Sequence, residues 1–196
     1  VAGGTSLAAL DEAARAATGH GIERVTTQRA AAGVVNGYAD PGLLGVDRWL
    51  AVIGAWGRVH GACVVADIGT AATVDVVAPD GRHCGGYIVP GPRLMVASLL
   101  RGTSDLASFH SSSPPGGGPA FADNTRDAIE RGCRVALAAW VERCLADAAR
   151  LVGARPSLLV TGGASAEVLP DLRVPAEQVP DLVLRGLAEV VQSGPH

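Results

Sequence analysis

ACVVADIGTAATVDVVAPDGRHCGGYIV, Ala62 to Val89, breaks into three short runs rich in valine, alanine and threonine, separated by turn residues. Ala62–Ala66, Thr73–Val77 and His83–Val89 read as strands, with Ile68-Gly69-Thr70 and Asp80-Gly81 as the turns between them. That is an antiparallel meander. Downstream, Arg93–Leu100 reads as a helix, and Thr103–Ala120, with its SSSPPGGGP run, as a long flexible loop. Asp123 or Asn124 then caps a long helix on which Ile129, Cys133, Leu137, Trp140, Cys144 and Ala148 recur near a 3.6 period. Cys133, Trp140 and Cys144 share its core face. Leu158–Thr161 reads as a short buried strand ending in Gly162-Gly163, and Asp181–Val191 as one more strand or helix.

Upstream the signals are sparser. Leu7–Ala17 is a short amphipathic helix stopped by Gly19 and Gly21, Ile22–Thr27 a strand, and Ala30–Ala39 a loop with a turn at Asn36-Gly37. Asp40-Pro41 opens a helix, an N-cap acid before a proline, and Leu43, Leu50, Ile53 and Trp56 carry it to Gly57. The expected fold class is α/β.

Composition removes several functions. The 196 residues are 48% hydrophobic but only 4% aromatic, so the core rests on Ala, Val and Leu. A net charge of −3 with no long basic run argues against a nucleic-acid partner. All 16 basic residues are arginine. A Walker P-loop and a protein-kinase fold each need a lysine at the phosphates, so neither fits. Any nucleotide must be held by backbone N–H groups, hydroxyls and a metal. Cys63, Cys84, Cys133 and Cys144 form no C-x-x-C pair and read as reduced thiols in a cytosol, not as a zinc site. No apolar run is long enough for a membrane span, and no signal peptide opens the chain.

Two segments carry chemistry. In ADIGTAATVD, Ala66–Asp75, an acid at a strand end precedes a Gly-Thr turn. Backbone N–H groups, the Thr70 hydroxyl and close approach at Gly69 suit phosphates, and Asp67 suits a cation. The same residues also describe a plain hairpin turn. Thr161-Gly162-Gly163 at a later strand end would let a flat base lie against the backbone. In GVDRW, Gly45 leaves room beside Asp47, which suits proton removal from a hydroxyl that attacks phosphorus. Arg48 suits a substrate carboxylate. A solvated charge pair on an exposed helix face is the alternative. His83 reads as a hydrogen-bonded strand histidine, with reach to the site as the other possibility. No Ser-His-Asp triad or G-x-S-x-G elbow is present.

The ordered set NGYADPGLLGVDRW, VVADIGTAATVDVV, DGRHCGGYIVPG, DNTRDAI and VTGGA resembles type III pantothenate kinase. That family belongs to the acetate and sugar kinase/Hsp70/actin superfamily of two ribonuclease H-like domains. The resemblance implies Asp47 as general base. Tyr38, Gly45, Val46, Arg48 and Thr125 match substrate positions, and Asp67 a monovalent-cation ligand for potassium or ammonium. Thr70, beside Gly69, matches an ATP contact, and Gly162 and Gly163 follow it in the nucleotide site. The implied reaction is transfer from ATP, with Mg²⁺, to pantothenate, giving 4′-phosphopantothenate for coenzyme A synthesis in a cytoplasmic homodimer.

The family opens on a strand bearing Asp-x-Gly-Asn-Thr, and this chain, beginning at Val1, carries no such motif. The expectation is therefore an N-terminally truncated member, short by on the order of 50 residues. Residues 1–60 would then be the C-terminal part of the first ribonuclease H-like domain and 61–196 the second. One alternative is a non-catalytic binding or regulatory relative, which the missing motif favours and the retained Asp47, Arg48, Asp67, Thr70 and Thr125 oppose. Another sugar-type kinase is opposed by the GVDR and NGY segments.

Overall fold

The computed structural model describes residues 4–101 and 121–193. Helix α1, Gly4–Thr18, is followed by an extended stretch and a two-rung hairpin, β1 Ala30–Ala31 and β2 Val34–Val35. Helix α2 is Val46–Val59. Strands β3 Cys63–Ile68, β4 Ala71–Val77 and β5 His83–Pro90 form the expected meander, and helix α3 is Pro92–Arg101. Then come α4 Thr125–Val152, β6 Ser157–Thr161, α5 Ser165–Val168, β7 Glu177–Gln178 and α6 Leu182–Ser193. The expected loop over Thr103–Ala120 lies outside the described residues.

The main sheet runs β5-β4-β3-β6-β7, with the first three antiparallel and β6 and β7 parallel to β3. This is the strand order of a ribonuclease H-like fold. Alternation along the strands sorts its two faces. Val64, Ala66, Ile68, Ala72, Val74, Val76, Leu158 and Val160 pack on Leu137, Val141, Cys144 and Ala148 of α4. Cys63, Val65, Val77 and Leu159 pack on Trp49, Val52 and Ile53 of α2 and on Leu182 of α6. The result is a sheet between helical layers, closed by aliphatic side chains and one fully buried tryptophan, Trp49.

Three expectations are corrected. Ile22–Thr27 forms no strand, because isolated bonds rather than a ladder pin it: Ile22 N donates to Asp11 Oδ1, and Thr27 Oγ1 to the Leu44 carbonyl. The expected loop over 30–39 contains the β1–β2 hairpin. The helix expected from Asp40 begins at Val46. Asp40 caps only a single 3-10 turn, Pro41–Leu43, by accepting from Gly42 N at 3.0 Å. Leu44 then turns extended and buries its side chain, and Gly45 becomes the cap of α2. Two poor helix formers, Gly42 and Gly45, flank a leucine that gains more from the core than from helix. Asp47 consequently stands in the first turn of α2 and not in its interior.

One irregularity decides which side chain β5 turns toward α2. The strand pairs Gly86 with Asp75 but His83 with Val77, so it carries an extra residue in a bulge at Cys84-Gly85, where Gly85 has φ 95°. Without it Cys84 would occupy the rung that His83 fills. The bulge therefore delivers the histidine to the α2 side of the sheet.

Helices α2 and α6 touch at Gly54 and Gly186. A Cβ at Gly186 would run into the Leu50 carbonyl, and one at Gly54 into the Leu182 carbonyl. Exposed helical Gly→Ala changes normally stabilise by up to ~1 kcal/mol. Here the sign should reverse. Gly186→Ala should destabilise by about 1–3 kcal/mol, read as a lower Tm in thermal unfolding. An unchanged or higher Tm would show that the two helices are free to separate.

Candidate active site

Arg48 enters the site from the first turn of α2, one residue after Asp47. Its fork is committed inside the protein: Nε donates to Asp75 Oδ2 at 2.8 Å and Nη2 to Asp75 Oδ1 at 2.6 Å. Nη1 donates to the Tyr38 hydroxyl at 3.0 Å. Burial on its own would lower the Arg48 guanidinium, but the bonds and charge of Asp75, with help from Tyr38, hold it above its ordinary value. Asp75 accepts a third bond at 2.8 Å from His83 Nε2, and the His83 ring lies parallel to that of Tyr38, with centroids 5.9 Å apart. The carboxylate expected to come to Arg48 from a substrate is thus already supplied by the chain. Its remaining N–H groups are what a ligand could use.

The Tyr38 loop is held from behind by a residue that carries no motif of its own. Arg29 donates to the carbonyls of Asn36, Tyr38 and Ala39 at 3.3, 2.8 and 2.7 Å. Asn36 is buried and its Oδ1 accepts from Tyr38 N at 2.9 Å. Gly37 lies where a Cβ would strike the His83 carbonyl, so the loop seats directly on β5.

Asp47 is exposed, and its Oδ1 accepts from Arg48 N at 2.8 Å. A carboxylate there sits where unpaired N–H groups of a helix start favour negative charge. Asp67, at the end of β3, is half-buried. Burial pushes its carboxyl above the ordinary value, and the charges of Asp47 and Asp75 push it further up. Among the described residues no donor or cation bonds to it.

Beyond Asp67 the chain makes the Gly69-Thr70 turn. Gly69 N donates to the Ala71 carbonyl, so this N–H is not free for an anion as the sequence suggested, and the Thr70 hydroxyl is exposed. Gly91 N donates to the Thr70 carbonyl, and Ala164 N to the Ile68 carbonyl, so the turn, β5 and the end of β6 converge. Gly162 has φ 92°, and a Cβ there would collide with Asp67 Oδ1 and the Ile68 carbonyl. Its missing side chain makes room for the acid, and only Gly163 fronts open space. Tyr38, Gly45, Val46, Asp47, Arg48 and Asp67 are thus brought together, with Gly69, Thr70, Gly162 and Gly163 along the same strand ends. Thr125 stands apart, exposed at the start of α4 on the other side of the sheet from α2. Asp75 was the residue missed. Its signal was an acid at an inward position of AATVDVV, a carboxylate that needs buried donors, which in a chain without lysine points to arginine or histidine.

The sequence model described as Type III pantothenate kinase matches residues 3–147. The chain belongs to the type III pantothenate kinase family. The type III pantothenate kinase of Alkalilimnicola ehrlichii is 40% identical over 188 residues, covering 95% of this chain and 74% of that protein. The one from Aromatoleum aromaticum is 40% identical over 189 residues, covering 96% and 75%. The activator of the 2-hydroxyisocaproyl-CoA dehydratase from Clostridium difficile, solved with bound ADPNP, shares the fold. Its TM-score is 0.51 at 15% identity, over 97% of this chain and 81% of that one. The chain is an enzyme, a kinase, of a ribonuclease H-like fold, and no helix among its described residues is long and apolar enough to cross a membrane.

In this pantothenate kinase family member the raised carboxyl of Asp67, without a partner among the described residues, has a measurable consequence. A carboxyl whose pKa is raised on folding binds more protons folded than unfolded, so stability falls as pH rises through the raised pKa. At neutral pH, in tetramethylammonium buffer free of potassium, sodium and ammonium, Asp67→Asn should raise Tm by about 2 °C or more, the shift that ~1 kcal/mol gives at this size. A lower Tm would show that the carboxylate is satisfied within the protein.

Proposed function

We propose that this protein phosphorylates the primary hydroxyl of pantothenate with ATP, giving 4′-phosphopantothenate and ADP, the first step of coenzyme A biosynthesis. The observation that carries the reading is the pairing of an exposed Asp47 with an Arg48 locked beside it, in a chain of this family. The Asp47 carboxylate takes the hydroxyl proton as the substrate oxygen bonds to the γ-phosphorus and the bond to the ADP oxygen breaks. Arg48, with its remaining N–H groups, and Tyr38 orient the substrate, and Gly45 and Val46 line its path. The Thr70 hydroxyl meets the phosphates at the turn that Gly69 makes, and Gly163, beside Gly162, faces the rest of the nucleotide. Mg²⁺ that accompanies ATP neutralises phosphate charge.

Asp67 is proposed to hold potassium or ammonium. Its donor set supports this. Among the described residues the carboxylate is half-buried, repelled by two others and without a partner, and no group of three or more His, Cys, Asp or Glu forms a divalent cage. The working form is proposed to be a cytoplasmic homodimer. Supporting this are four unpaired cysteines, with burial pushing Cys63 up to about 12, and an edge strand β5 with exposed Tyr87 and Ile88. Residues 1–60 are proposed to belong to a first ribonuclease H-like domain and 61–196 to a second. The five-strand order completed between Cys63 and Gln178 supports this, and α2 then docks from one domain onto the sheet of the other.

Asp47→Asn should cut pantothenate-dependent ADP release by roughly 10²–10⁴-fold, the contribution of a general base, while nucleotide binding survives. Near-normal turnover would remove Asp47 from that role. The wild-type rate should need potassium or ammonium, and equal rates in sodium would remove the cation from Asp67.

A further inference from the structure

We infer that Asp75 and His83 are positioning residues for the substrate end of the site, His83 fixing Asp75 and Asp75 fixing Arg48 and Tyr38. The inference rests on the pantothenate kinase reading and deepens it. An Asp side chain ends in a soft torsion with broad, roughly two-fold preferences. The Arg48 fork alone would tie guanidinium and carboxylate to each other while leaving the pair free to rock. The bond from His83 Nε2 to Asp75 Oδ1 at 2.8 Å removes that freedom, because it reaches the same oxygen from a second strand.

The histidine is equally constrained. Its side chain is fully buried, the bulge in β5 holds it on this rung, and its ring underlies Tyr38. A carboxylate only accepts, so Nε2 carries the proton. Nδ1 is buried with no partner among the described residues, so the one side-chain bond the ring makes goes to Asp75. Space-filling alone would not ask for an imidazole here. A phenyl ring would fill the volume and stack on Tyr38 without leaving a polar nitrogen unsatisfied.

The test compares full-length wild type with His83→Phe, which keeps ring and stacking but loses the bond, and His83→Gln, whose amide nitrogen can restore it. Pantothenate-dependent ADP release is measured against both substrates. His83→Phe should raise KM for pantothenate roughly five- to twentyfold, the effect of losing a hydrogen bond to a charged group. Its kcat and its KM for ATP should stay within about twofold, and His83→Gln should recover most of the loss. If His83→Phe does not fold, His83→Asn, too short to reach Asp75, is read in its place. An unchanged KM for pantothenate overturns the inference. So does a parallel loss in kcat and both KM values, or a glutamine variant no better than phenylalanine, since those mark a merely structural side chain. Wild type without pantothenate-dependent ADP release would instead overturn the kinase reading, and the positioning role with it.

Discussion

A bidentate ion pair between Arg48 and Asp75, shut away from water, sets the terms for the rest of the structure. Removing two such charges from solvent costs several kcal/mol per ion, and close geometry with extra hydrogen bonds must offset it. Each neighbouring oddity answers that demand. The bulge in β5 brings a third donor to Asp75, and the Tyr38 loop brings an acceptor to Arg48. Gly86 leaves room where a Cβ would strike the Val74 carbonyl and crowd Asp75 and Arg48. Helix α2 begins at Val46, and its third residue reaches across to β4.

The sheet separates packing from chemistry by parity. On β4, Ala72, Val74 and Val76 face α4 and do nothing but exclude water, while Thr73, Asp75 and Val77 face α2. On β3, Asp67 shares that second face with Cys63 and Val65, directly opposite Thr73 on one side and Thr161 on the other. A slip of one residue would drive two carboxylates into the apolar layer under α4, so register is strongly specified wherever the acids lie.

Much of this was legible in the chain. The meander from Cys63 to Pro90 follows from alternation and two glycine turns, and the long helix α4 from its apolar period and the Asn124 cap. Ordered motifs marked the residues of the candidate site that the fold brings together. What escaped was decided by tertiary partners. The start of α2 depends on Leu44 gaining burial that local propensity cannot see. The β propensity of Ile22–Thr27 went unused because no neighbouring strand among the described residues pairs with it. The commitment of Arg48 to Asp75 joins positions 27 apart in sequence, and a single sequence shows neither end where the other is. The bulge that selects His83 over Cys84 has as its local mark only two consecutive glycines.

Helix α2 is fastened at both extremities of its buried face, by its third residue to β4 and by Gly54 to α6. A rod held at two points can neither roll about its axis nor slip by a turn without breaking one of them. Asp47, riding on its first turn, is therefore an anvil. In the proposed reaction, the motion that brings the two reactants together is made by the pieces that approach this helix, and the carboxylate waits at a fixed address for the hydroxyl to be carried to it.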